Sequence, residues 1–168
     1  HEEYVLGLSY RSITISTSGI VPQMYKLADE GIPISLSVSL HAPNQELRSE
    51  LMPINRKYPL ADVVRAARHY AETTKRRVTY EYILIDHVND GEAQARELVS
   101  LLRGQLASVN LIPINPVAER HLLRPSAARI DWFEHYFTAH HLTVTVRREM
   151  GTDIQAACGQ LRNKHLEE

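Results

Sequence analysis

One stretch constrains this chain more than any other: from Ile34 to Leu40, apolar residues and serines alternate without a break. Successive side chains of a strand point to opposite faces, so Ile34, Leu36, Val38 and Leu40 form one face and Ser35, Ser37 and Ser39 the other. The first strand, Ser12–Ser18, repeats the pattern with Ile13 and Ile15 against Thr14, Ser16 and Ser18. Strands covered on both faces of a doubly wound sheet read as continuous apolar runs. These strands instead ask for helices on one side and something polar on the other.

The intervening segments supply the helices. Pro22 in a first turn, then Met24, Leu27 and Ala28, predict a helix stopped by Gly31. A short helix over about Asn44–Met52 is capped by Asn44, and a longer one runs from Leu60 to Thr74. The third strand covers Val78–Ile85. Asp90 is expected to cap a helix whose buried face is Ala95, Leu98, Val99 and Leu102, ended by Gly104. A fourth strand, Ser108–Ile114, leads through Pro116 and Pro125 to a helix carrying Ile130, Phe133 and Phe137. A last strand, Leu142–Arg147, precedes a loop or short helix bearing Cys158. Alternating strands and helices make parallel βαβ units and an α/β fold. Helical crossovers together with a hydroxyl-lined strand face predict a partial (β/α) barrel with a polar lumen. Residues 1–168 are read as one domain.

Composition narrows the function. The balance of 19 Lys and Arg against 20 Asp and Glu leaves a net charge of -1, so no global basic surface announces nucleic acid. A single cysteine excludes an internal disulfide, and excludes a cysteine-held iron–sulfur cluster or zinc site built from this chain alone. It also fits a reducing compartment. With no membrane-length apolar run, the chain is expected to be cytoplasmic, with no membrane partner.

Ligands of parallel β/α folds lie at the C-terminal ends of the strands. There the chain places Ser16-Thr17-Ser18-Gly19, Ser39-Leu40-His41-Ala42-Pro43, Asp86-His87-Val88-Asn89-Asp90 and Asn110 through Pro116. Hydroxyls, a histidine, carboxylates and amides on four successive strand ends suit a ligand with ribose, amine or carboxylate groups. Each word alone has a plainer reading. The Ser-Thr-Ser-Gly word reads first as a turn, His41 as a loop histidine, Asn44 and Asp90 as helix caps, and Asn115 before Pro116 as a turn. Glu81 reads as a partly buried acid whose expected partner is an arginine. Lys75-Arg76-Arg77 and Arg147-Arg148 suit either phosphates or solvated helix ends and loops. Cys158, among Ala156, Ala157 and Gly159, reads as a small buried hydrophobe or as a reactive thiol that a planar substrate can approach closely. No phosphate loop, dinucleotide fingerprint or convincing metal-ligand spacing is present.

In order along the chain stand Ser16-Thr17-Ser18-Gly19-Ile20-Val21-Pro22, Ser39-Leu40-His41-Ala42-Pro43-Asn44, Pro53-Ile54-Asn55, Glu81-Tyr82-Ile83-Leu84, Val88-Asn89-Asp90, Asn110-Leu111-Ile112-Pro113 with Asn115-Pro116, and Asp153-Ile154 with Ala156 through Leu161. Together these words resemble the C-terminal half of the RlmN/Cfr family of radical-SAM RNA methyltransferases, over nearly the whole chain. The resemblance implies that Ser16, Ser39, Leu40, His41 and Asn115 contact S-adenosylmethionine (SAM). It implies that Cys158 takes a methyl group from one SAM. A second SAM, cleaved at a reduced [4Fe–4S] cluster, then yields the radical that activates this methyl for addition to adenine. Adenine carbon 2 is electron-poor and cannot attack a sulfonium methyl, whereas a thiolate can, which is why the route runs through a cysteine.

The family's cluster-binding cysteines, acidic SAM motif and second catalytic cysteine have no counterpart in these 168 residues. The chain is therefore expected to be the C-terminal part of a barrel truncated at its N-terminal side, without metal ligands of its own and inactive alone. Ser18, Ala42 and Pro113 look RlmN-like, which implies carbon 2 methylation of adenine in 23S ribosomal RNA and certain tRNAs, with an electron donor serving the cluster. The alternatives are a Cfr-type carbon 8 enzyme and a non-catalytic SAM- or nucleotide-binding half-barrel. An open edge on the first strand is expected to favour self-association.

Overall fold

The computed structural model describes residues 9–116 and 122–147. Five strands, β1 (Thr14–Thr17), β2 (Ser35–Ser39), β3 (Val78–Leu84), β4 (Ala107–Pro113) and β5 (Thr143–Val146), form one sheet in the order β1-β2-β3-β4-β5. Every neighbouring pair is parallel. Helices connect them: α1 (Val21–Asp29), α2 (Gln45–Leu51) followed by α3 (Leu60–Thr74), α4 (Glu92–Leu102) and α5 (Ala127–Ala139). A parallel crossover is almost always right-handed. When strand order also follows chain order, successive crossovers put their helices on one side, as in a barrel wall. The expected α/β architecture is what the strands and helices form.

The alternation read in the sequence divides the two sides. Leu36, Val38, Val78, Tyr80, Tyr82, Leu84, Val109 and Leu111 face the helices and are buried with Met24, Val63, Tyr70, Leu98, Phe133 and Phe137. Register carries the other face straight across the sheet. Ser16, Ser37, Thr79, Ser108 and Thr143 form one hydroxyl row, and Ser39, Glu81, Asn110 and Thr145 form the next row toward the strand C-termini.

Most strand ends differ from the sequence reading by one residue, and the start of β1 by more. β1 is shorter than Ser12–Ser18 because Tyr10–Ser12 is a 3-10 turn capped by the Ser9 side chain. At its other end Thr17 Oγ1 accepts from the N–H groups of Gly19 and Ile20, so local hydroxyl bonding turns the chain away from the sheet. Asn44 caps α2 as expected, accepting from Leu47 N–H at 3.0 Å. Asp90 does not cap α4: Gly91 occupies that position, with no side-chain cap. β1 stands at one edge of the sheet, with Thr14, Ile15 and Ser16 exposed.

Candidate functional site

Ser16, Ser39, His41 and Asn115 come to the same C-terminal edge of the sheet, on or just past β1, β2 and β4. Ser16 is exposed on the polar face, and Ser39 is half-buried beside Glu81 in the register. Asn115 stands two residues past the end of β4 and is half-buried. Leu40 is oriented differently, its side chain fully buried in the core. Its N–H donates to Glu81 O at 3.0 Å and its carbonyl accepts from Arg48, so it anchors the strand end. Cys158 and Arg148 lie outside the described residues.

His41 has a left-handed backbone, φ 60°. Its Nδ1 accepts from Ile83 N–H at 3.1 Å, so the neutral ring carries its proton on Nε2. Burial first, and then the positive charge of Arg48, lower its pKa from 6.5 to about 4, against a smaller opposing backbone hydrogen bond at Glu81. At neutral pH the imidazole is a hydrogen-bonding group, not a cation. Asn89 locks this loop from beneath. Its Nδ2 donates to the carbonyls of His41 and Ile83, while its Oδ1 accepts from Ile85 N–H.

Arg48 is the hub that sequence reasoning missed. Within the short α2 it reads as one more charge among Glu46 and Glu50, yet its side chain is fully buried. The guanidinium donates to the carbonyls of Ser18, Ser39, Leu40 and Tyr58 and to Asn55 Oδ1. Burial lowers its pKa, but a guanidinium stays protonated in proteins. Five neutral acceptors together satisfy the buried cation, and the ends of β1 and β2 are pinned to each other as a result. Gly19 makes room for it: φ is +100°, and an added Cβ would meet Val63 at 2.8 Å and Arg48 at 3.2 Å. The Pro53-Ile54-Asn55 word is the one linear signal for this hub, since Asn55 completes it.

Glu81 corrects an expectation. Its partners are neutral: Ser37 donates to Oε1 at 2.6 Å and Asn110 Nδ2 donates to Oε2 at 2.7 Å. Among the described residues no arginine forms an ion pair with it. The basic residues at the start of β3 turn elsewhere, Arg76 to Ser35 and Arg77 to Thr143. The polar face thus offers hydroxyls, an amide, one carboxylate and a neutral imidazole, a donor and acceptor set that fits the ribose, amine and sulfonium of SAM. It does not fit a [4Fe–4S] cluster. Such clusters are generally held by several cysteine thiolates, the chain has one cysteine, and the described residues hold no group of three His, Cys, Asp or Glu able to bind a metal.

Known proteins share the family and the fold. The model of the radical SAM superfamily matches residues 1–99. A probable dual-specificity RNA methyltransferase RlmN of Symbiobacterium thermophilum is 59% identical over 165 residues, covering 98% of this chain and 44% of the relative. Its namesake in Caldanaerobacter subterraneus subsp. tengcongensis is 54% identical over 165 residues, covering 98% and 48%. The chain spans about half the length of the curated relatives it matches. The crystal structure of a radical SAM methyltransferase from Sphaerobacter thermophilus superposes with a TM-score of 0.86 at 53% identity, over 90% of this chain and 45% of that one. A domain of pyruvate-formate lyase-activating enzyme from Bacteroides vulgatus shares the fold, with a TM-score of 0.63 at 14% identity, over 80% of each chain. Among the described residues no helix is long and apolar enough to cross a membrane.

Proposed function

Because the chain belongs to the radical SAM superfamily, we propose that its polar sheet face binds SAM and forms the C-terminal half of an RNA methyltransferase. The methyl acceptor in this reading is carbon 2 of adenine in 23S ribosomal RNA and in certain tRNAs, and the setting is the cytoplasm. What carries the proposal is the convergence of Ser16, Ser39, His41 and Asn115 on one sheet edge, above a face lined by hydroxyls. The resemblance to the RlmN/Cfr words and the identity to two proteins named RlmN support the RNA substrate.

When bound, SAM supplies a methyl group on sulfonium. The chain's own residues divide the remaining work. Arg48 and Asn89 hold the strand-end loops in one shape, and Ser16, Ser39 and Asn115 offer hydroxyls and an amide to the cofactor. His41 presents a neutral ring in an orientation set by Ile83. Cys158 is proposed as the methyl carrier, the nucleophile whose sulfur would accept the methyl group that bound SAM supplies. Cluster ligands and the electron donor come from outside these 168 residues, which alone are inactive. The open edge of β1 is where further barrel strands, or a second copy, would pair.

Mass spectrometry of 23S ribosomal RNA and tRNA tests this reading. Cells stripped of their own enzyme, and carrying the coding frame that contains residues 1–168, should show 2-methyladenosine. Replacing Cys158 with Ala in that frame should abolish it. An 8-methyladenosine product, or full activity of the Cys158→Ala variant, would contradict the reading.

A further inference from the structure

Glu81 is the one charged residue within the five strands. It lies on the polar face, directly beside Ser39 in the register and next to Asn110 on the other side. Ser37 and Asn110 each donate to a different oxygen of the carboxylate, a pattern that suits the ionised acid and fixes its orientation. Among the described residues no cation pairs with it; the ion pairs are Arg65 with Asp62 and His87 with Asp86. A half-buried carboxylate held by two neutral donors still lacks compensation for its charge, and a ligand closing over it removes more water. A neutral diol would deepen that deficit. A cation would cancel it.

Resting on the reading that this face binds SAM, we infer that Glu81 is the counter-charge for the sulfonium, and so the residue by which the site tells SAM from its uncharged thioether product. SAM and S-adenosylhomocysteine share adenosine, amine and carboxylate and differ by the methyl and the positive charge on sulfur. Attraction between a fixed carboxylate and a nearby cation in a partly dry site is large enough to set a tenfold preference.

Isothermal titration of the 168-residue chain with both ligands tests the inference, with circular dichroism to verify that each variant is folded. The unsubstituted chain should prefer SAM by about tenfold. Glu81→Gln, which keeps the shape and an acceptor for Ser37, should weaken SAM by about tenfold and S-adenosylhomocysteine by less than about twofold. Equal loss for both ligands, or no loss for either, would overturn it while leaving the SAM site standing. Failure of the unsubstituted chain to bind either ligand would overturn the SAM site and this inference together. Should Glu81→Gln unfold, sinefungin on the unsubstituted chain tests the preference for positive charge on which the assignment depends. It carries an ammonium in place of the sulfonium, and binding no tighter than S-adenosylhomocysteine would contradict the assignment.

Discussion

The two faces of β3 differ by one residue of offset and by everything that follows from it. Val78, Tyr80, Tyr82 and Leu84 face the helices and are buried, with the tyrosine hydroxyls tied to Gln105 and to the carbonyl of Asn89. Burial pushes both phenols well above their ordinary pKa. Thr79, Glu81 and Ile83 face the other way and stay half-buried. The outward face has every polar atom paired within the protein and works as core. The inward face keeps a carboxylate that, among the described residues, only the neutral donors Ser37 and Asn110 contact, which suits the proposed ligand face. Stability and the proposed recognition thus run along the same strand at alternate positions.

Breaking the outward face should have the largest effect. Tyr82→Ala removes a buried ring and its hydrogen bond to Asn89, and should cost about 4 kcal/mol in urea denaturation. A loss below about 1 kcal/mol would place Tyr82 outside the core.

The strand end, where the two faces meet, should give an effect nearly as large through pH. His41 ionises at about 4 in the fold and at the ordinary 6.5 when unfolded. Between those values the unfolded chain holds the proton and the folded chain does not. Stability is therefore complete above pH 6.5 and declines as the pH falls toward 4, by about 3 kcal/mol in all. His41→Asn, which tolerates the left-handed backbone and does not titrate, should show a shallower decline in chemical denaturation across that range. Parallel pH profiles for the two proteins would rule out His41 as the source.

Touching the inward hydroxyl row should matter least for folding. Thr79 and Ser108 share a hydrogen bond at 3.2 Å, and Thr79→Val, which keeps the branched shape, should shift stability by no more than about 1 kcal/mol. A loss as large as that of Tyr82→Ala would erase the distinction between the faces.

Much of this division was legible in the sequence, because period-two alternation states which side chains share a face. Strand and helix identities followed from it, with errors confined to ends such as Ser12 and Ser18, where Ser9 and Thr17 hydroxyls capture backbone N–H groups. The rim residues were legible as polar groups at strand ends. Arg48 was not, since burial of a charge depends on five acceptors brought from separate elements, and nothing linear brings Ser18 and Tyr58 together. Glu81 was visible as a partly buried acid, but its expected arginine partner is replaced by Ser37 and Asn110. The nearby Arg76 and Arg77 invite pairing in the sequence, yet the register sends them to Ser35 and Thr143. Asp90 looked like a cap because carboxylates commonly are, but Gly91 takes that position.

The central claim is that the inward face and its strand-end rim hold SAM. Titrating SAM into the isotopically labelled chain and following backbone amide resonances tests it most directly. The account predicts shifts at Ser16, Ser39, Leu40, His41, Glu81, Asn110 and Asn115, with the exposed helix positions of α1, α4 and α5 unmoved. Shifts confined to the helix side, or none at saturating SAM, would contradict it.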